Sequence, residues 1–446
     1  MIFAHGVGSR GDLPLPLWMF TWAAAIALIV SFVALGLLWT RPQLARAAAG
    51  RTMVGPWVGV DDAGRAGLPG VLRIVLAIGR SAALVLFVVA VAAGLFGEDA
   101  VDRNLLPVTF YVVVWVGAQL VNGLIGDVWR AISPINTLAR WGETVARRLG
   151  ATPRTAPAGL GHWPAAAGLS VFLFYELAHP AGSTPRNLGY LLVVHTMVSL
   201  AAAVLWGAAW VADNEPFAAL FTMLAAMAPV FAREGRLAVR PPMSGLARMP
   251  VVGGTLATLL IVLGGTTFDG FSESEAGRNV LDRPTGWGGA VTLTIGLVVS
   301  VGVIAALYGI GVWWTSRVTE LSVGDAASAF APSLVPIVFG YAVAHYAQLL
   351  VDETQSFVFR LSDPAGQGWD LFGGTDGAID FNLVSVDLIA WIQVLAILFG
   401  HVGAVVVAHD RAIELFPAGE SLRSQFAMLL VMVAYSTLGL WLLLNA

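Results

Sequence analysis

Seven histidines, 28 acidic residues and no cysteine define the chemistry open to this chain of 446 residues. Without cysteine there is no disulfide, thiolate ligand or cysteine nucleophile. Glu176 and His179 stand at i and i+3 in E-L-A-H, a spacing that puts both on one helix face. Glu-x-x-His supplies metal ligands in some helical bundles, which use a second such pair and further carboxylates. No second E-x-x-H occurs in this chain. His345, Gln348 and Asp352 share a face at i, i+3 and i+7, and His195, Asp387, His5 and Asp12 fall near the same depth. Neutral imidazole with carboxylate suits Zn²⁺, Mn²⁺, Fe²⁺ or Cu²⁺ better than Cu⁺. Such an ion generates hydroxide near neutral pH and polarises a phosphoryl oxygen. In that scheme His5, His345, Glu176, His179 and His195 are metal ligands, and Asp12, Asp269 and Asp352 are ligands or bases. The competing reading makes His195 and His345 interhelical hydrogen-bonding groups.

His401, His409 and Asp410 form a second set, spaced roughly two turns along one helix. They read either as a proton or solute route or as an interfacial helix end. Ala4–His5 has the look of a cleavage boundary, and an N-terminal histidine would bind copper through its amine and ring. There is no serine-nucleophile signature, phosphate-binding glycine loop or CxxCH motif. The histidines are offset in depth for a b-type haem, so no haem, flavin or nucleotide is expected.

The elements that must position these residues follow from composition. Hydrophobic residues make up 57% and charged residues 12%, with a mean hydropathy of +0.79. Average globular chains carry about 25% charged residues, so soluble domains are excluded. All 24 basic residues are arginine, which together with the alanine, glycine and valine content matches a GC-rich bacterial genome. A bilayer core needs about 20 apolar residues per helix. Ten stretches qualify: 16–39, 76–97, 107–125, 160–178, 188–211, 249–267, 288–314, 332–351, 384–407 and 425–445. The expected fold is all-α, a polytopic bundle of about ten spans in one integral membrane domain over residues 1–446. One or two in-plane helices, at 216–232 and 134–149, are expected on its cytoplasmic side. The first helix serves as its own signal unless the start has lost one.

Arginine position sets the orientation. One side holds 18 arginines and 12 acidic residues, the other six arginines and 14 acidic residues. The arginine-rich side is expected to be cytoplasmic, with both termini outside; the acidic outer side reads either as ordinary topology bias or as a vestibule that concentrates cations. The even division into five and five spans permits an inverted repeat of the secondary-transporter kind, although the halves share no matching sequence.

Several stretches, taken in order, resemble a known family. They are A-H-G-V-G-S-R-G-D-L-P-L-P-L-W (4–18), G-D-V-W-R-A-I-S-P-I-N-T-L-A-R-W (126–141), R-L-A-V-R-P-P (236–242) and F-D-G-F (268–271). The C-terminal third adds F-G-Y-A-V-A-H-Y (339–346), L-S-D-P-A-G-Q-G-W-D-L-F-G (361–373) and G-H-V-G-A-V-V-V-A-H-D-R-A (400–412). The set is similar to the bacterial integral-membrane fenitrothion hydrolases, over nearly the whole chain. The resemblance implies hydrolysis of an organophosphorus ester and involvement of a second membrane subunit. His5, Asp12, Asp269, His345, His401, His409 and Asp410 fall within the shared motifs, whereas Glu176, His179 and His195 do not.

Three functions are therefore expected in competition. The first is a membrane hydrolase of small hydrophobic esters with a divalent metal at the outer face. The second is a transporter of a metal ion or small solute. The third is a non-catalytic subunit of a membrane complex. The expected surroundings are the bacterial cytoplasmic membrane, its lipid and another membrane subunit, with no nucleic acid.

Overall fold

In a bilayer the backbone finds no water partners, so each long apolar run closes its own hydrogen bonds as helix. The computed structural model describes residues 17–52, 70–233, 236–281, 284–375 and 377–444. His5 and Asp12 lie outside the described residues. In chain order the main helices are α1 (Leu17–Leu38), α2 (Gly70–Phe96), α3 (Leu105–Leu124), α4 (Pro134–Arg148), α5 (Trp163–Leu177), α6 (Pro185–Trp206), α7 (Ala208–Asn214) and α8 (Pro216–Ala225). They continue as α9 (Thr255–Glu273), α10 (Trp287–Val318), α11 (Val335–Ser362), α12 (Val386–Leu415) and α13 (Phe426–Leu444). Among the described residues eight helices are long and apolar enough to cross a membrane. The apolar parts of α1 (Trp22–Leu38) and α5 (Trp163–Leu177) are shorter. An apolar helix thus stands at each of the ten expected spans, and the protein is an all-α, multi-pass membrane bundle.

Among the described residues, strands are confined to a small antiparallel sheet of β1 (Arg51–Thr52), β2 (Val230–Arg233) and β3 (Arg236–Val239), in the order β1-β3-β2. Its register pairs Arg51 with Val239 and Val230 with that same residue from the other side. The sheet ties two loops of the arginine-rich end together.

The two expected in-plane helices part company. Helix α4 is amphipathic, with Ser133 capping it by accepting the Asn136 N–H and Pro134 in its first turn. Ile135 and Ala139 pack on Ala202 and Ala203 of α6, while Trp141, Val145 and Leu149 stay exposed. The stretch 216–232 instead stops being helical at Ala225, and eight residues of α8 are buried. Gly207, at φ 92°, breaks the chain sharply between α6 and α7, a conformation that favours glycine. The α7 N-terminus is held by Glu143 of α4, whose Oε2 accepts the Ala208 N–H at 2.6 Å. Beyond α8 the chain returns to the same end, where the Val230 N–H donates to the Ile125 carbonyl. Between these anchors the tip reaches His195, midway along α6, and Phe217 packs against Phe110, Trp115 and Phe172. Helices α7 and α8 therefore form a re-entrant hairpin. The apolar stripe that suggested an interfacial helix is apolar because it is surrounded by other helices.

Helices α11 and α12 cross at the centre. A Cβ on Gly340 would stand 2.5 Å from the Ala396 carbonyl oxygen, and one on Gly400 would stand 2.7 Å from that of Pro336. Small residues bring these two backbones into direct contact, as is common between membrane helices.

Candidate functional site

Asp269 was expected in an outer loop after a span ending at 267. The helix runs on to Glu273, so Asp269 lies within α9, 4% exposed. Gly264 and Gly265 let this segment approach Val301 of α10 and Leu173 of α5, since a Cβ at either would collide with them. A buried carboxylate is tolerated only with partners. Asp269 Oδ2 is 2.8 Å from His345 Nε2, and the Tyr346 hydroxyl approaches the same oxygen at 3.4 Å. Trp115 Nε1–H donates to the Tyr346 oxygen at 3.2 Å. His345 is itself buried at 7% exposure, and its Nδ1 has no hydrogen-bond partner among the described residues.

Trp115 comes from an unusual part of α3. Residues Thr109–Gly117 wind as a π-helix, whose i→i+5 bonding is rare and marks functional sites often. This segment also carries Tyr111, within electrostatic range of Glu176. Glu176, from α5, is within the same range of Asp269 and Tyr346. Its Oε2 is sealed from solvent and has no hydrogen-bond partner. The structure thus gathers Glu176, Asp269 and His345, named from sequence, with Trp115, Tyr111 and Tyr346, which sequence reasoning passed over. Tyr346 follows His345 directly, so the F-G-Y-A-V-A-H-Y segment held that signal.

A second polar layer adjoins the first. Thr267 Oγ1 and the Tyr435 hydroxyl are 2.8 Å apart. Tyr341 stacks near His345, with ring centres 6.1 Å apart, and its hydroxyl is buried without a partner. The His401 ring centre is 5.8 Å from that of Tyr435. His401 Nδ1–H donates to the Ile397 carbonyl at 2.8 Å, and its Nε2 is buried and unpartnered.

The remaining expected ligands go elsewhere. Helix α5 ends at Leu177, so His179 leaves the face that Glu176 occupies. Its Nδ1 accepts the Ala181 N–H at 3.1 Å, and its ring stacks on Tyr175 and meets Trp287 edge-on. Burial there holds its imidazole below the ordinary histidine value. His195 Nε2 lies 3.0 Å from Glu215 Oε1, at the tip of the re-entrant hairpin, without the alignment of a hydrogen bond. Glu215 also caps α8 by accepting the N–H groups of Phe217 and Ala218. The signal for Glu215 was an acid directly before Pro216, at a helix start. The rings of Phe217, Phe172 and Trp115 separate this pair from the Asp269–His345 network.

Asp352 was expected at the end of its span, yet α11 continues ten residues beyond it to Ser362. Its Oδ2 accepts from Gln348 Nε2 at 2.8 Å, and its Oδ1 is buried and unpartnered. Asp387 sits in the first turn of α12. His409 contacts Gln425 Oε1 and the Trp39 carbonyl, while Asp410 accepts from the Trp39 indole and the Gln43 and Leu44 N–H groups. These two residues pin the chain after α1 to α12.

Among the described residues, no three His, Asp or Glu side chains converge closely enough to hold a metal ion. The five-residue ligand set expected from sequence is therefore divided between the central network, the His179 turn and the hairpin tip, with His5 outside the described residues. What the centre can do is take up and hand on a proton. No family model, curated protein or solved structure matches this chain.

Proposed function

We propose that the protein is a membrane carrier of a small solute moved together with a proton, and that Glu176, Asp269 and His345 form its proton-binding centre. The observation that supports this reading is the sealed, unpartnered Glu176 Oε2 beside the Asp269–His345 pair. A bare buried carboxylate is costly, and inside membranes such groups mark ion pathways and proton relays. A proton supplies the missing partner. The test uses proteoliposomes loaded with a pH-sensitive dye, to which gradients of Na⁺, K⁺, Mg²⁺ or Zn²⁺ are applied. A lumenal pH change with at least one ion, lost in Asp269→Asn, is the expected result. No pH change and no ion uptake with any of the four would reject the reading.

The hydrolase reading implied by the resemblance draws on the same pair. Asp269 would orient His345, whose unpartnered Nδ1 would take a proton from water attacking a phosphotriester, with the Tyr341 hydroxyl as a donor to the developing oxyanion. It predicts release of nitrophenol from an aryl organophosphate by the purified protein and its loss in His345→Ala. The partner-subunit reading predicts neither activity and co-purification with another membrane protein.

A further inference from the structure

The central network is buried, so a carrier needs a way in, and the cavities describe one. At the arginine-rich end a cavity of about 460 Å³ is lined by Asp325, Asp410, Arg411 and Glu414 and floored by Pro332 and Ser333. Three carboxylates against one guanidinium give it a cation-attracting mouth. Glu414 is paired with Arg411, Asp410 is occupied by the chain after α1, and Asp325, which accepts from the Ser322 hydroxyl, is exposed at the surface. A second cavity of about 50 Å³ shares Ser333 with the first and has Tyr435 in its lining. Its walls are apolar, with Leu263, Ile304, Leu334, Ile337 and Met432 among them. By volume it holds one or a few waters, but an apolar lining disfavours them, and apolar constrictions gate by excluding water.

Beyond Tyr435 the path is polar again. Its hydroxyl meets Thr267, and its ring adjoins His401. Tyr341 bridges this layer to His345, and its unpartnered hydroxyl lies where a Cβ on Gly270 would be 3.0 Å away. Two sealed, unpartnered polar atoms adjoin this layer, Tyr341 Oη beside the His345 ring and His401 Nε2 beside the Tyr435 ring.

Resting on the carrier reading above, we propose that protons reach the Asp269–His345 site from the arginine-rich face, through the cavity beside Asp410, past Ser333 and across an apolar gate closed by Tyr435. The route differs from one through His409, which is engaged with Gln425 and the Trp39 carbonyl.

The absence of cysteine makes the test clean, because any thiol introduced is the sole one. Ser333→Cys and Ile337→Cys sample the junction and the gate wall, and Ser328→Cys samples the mouth. Leu430→Cys, on an exposed apolar face of α13, is the lipid-facing control. Leu149→Cys, exposed beside the arginines of α4, marks the sidedness of the vesicles. The reagent is 2-aminoethyl methanethiosulfonate, a small cation, added to sealed vesicles that expose the Leu149 side. Thiolate reacts where water reaches it, so Ser333→Cys or Ile337→Cys should label at least about tenfold faster than Leu430→Cys. Labelling of Ser328→Cys with both deeper positions no faster than the control would overturn the route. Two variants at the depth of the gate guard against misfolding of either. The arms separate the two ideas: labelled deep positions with no ion-coupled pH change keep the path and reject the carrier, and the converse keeps the carrier and rejects the path.

Discussion

Asp410 shows how the same residue type takes opposite roles according to its neighbours. Three donors converge on it, the Trp39 indole at 2.8 Å and the backbone N–H groups of Gln43 and Leu44 at 2.6 and 3.2 Å. Its carboxylate thereby caps the short helix Leu44–Ala47 from a distant part of the chain. Asp410→Ala leaves those donors unmet at a cost of about 1–3 kcal/mol for each one that stays buried. The expected outcome is a lowered melting temperature in detergent and faster proteolysis between residues 39 and 50. Asp269→Ala acts differently, because it strands His345 in the core. Removing one partner of a buried pair costs about 3–5 kcal/mol, so the variant should unfold earlier than Asp269→Asn, which keeps a polar contact, and thermal scans of the two side by side check this. From sequence Asp269 and Asp410 looked alike, each an acid next to a span. Only their partners, from residues 76 and about 370 positions away, distinguish a central site from a structural clasp.

At the scale of elements, the re-entrant hairpin carries the clearest lesson. Its apolar run was visible, and so was its unsuitability as a full span. The break at Gly207 and the cap at Glu215 were also written in the chain, but a stripe on one helix face does not say whether lipid or protein covers it. The hairpin depends on Glu143, which fixes its first N–H. The Ala208 N–H and then Arg147 hold the Glu143 carboxyl below the usual carboxylate range. A lowered folded value means that the extra stability is complete above the unfolded value of about 4.3 and is lost as pH falls through the folded one. Wild type should therefore exceed Glu143→Gln in melting temperature at neutral pH by an amount set by about 1 kcal/mol or less. The two curves should meet below about pH 4, and a gap that persists at pH 3 would contradict the assignment. The span ends show the same limit of sequence reading. Asp269 and Asp352 ended two spans on hydropathy, whereas α9 and α11 run through both, because a satisfied carboxylate need not stop a helix.

For the whole molecule, the crossing of α11 and α12 sets the frame in which His345 faces Asp269. Gly340→Leu would push side-chain atoms into the Ala396 carbonyl, and overpacking typically costs about 1–3 kcal/mol. Loss of monodisperse protein in size-exclusion chromatography, together with loss of the gradient-driven pH change, is expected; an unaltered profile would mean that the crossing adapts. The asymmetry of charge also belongs to this scale. The arginine-rich end carries α4, the small sheet and the anchors of the hairpin, so the charge bias seen in sequence coincides with a built structural layer.

The sequence by itself determined that this is a multi-pass helical membrane protein, where its apolar helices stand, and that any chemistry must come from histidine, carboxylate and hydroxyl groups. These follow from composition and local periodicity, which each residue carries with it. The tertiary structure alone decided that Asp269 and His345 meet, with Glu176 in electrostatic range of Asp269, while His179 and His195 turn away. It also placed Tyr346 and Trp115 beside them and left Glu176 Oε2 and Tyr341 Oη unpartnered in the interior. The physical reason is that convergence between helices depends on which faces pack, and a helix face is assigned by its neighbours rather than by its own sequence.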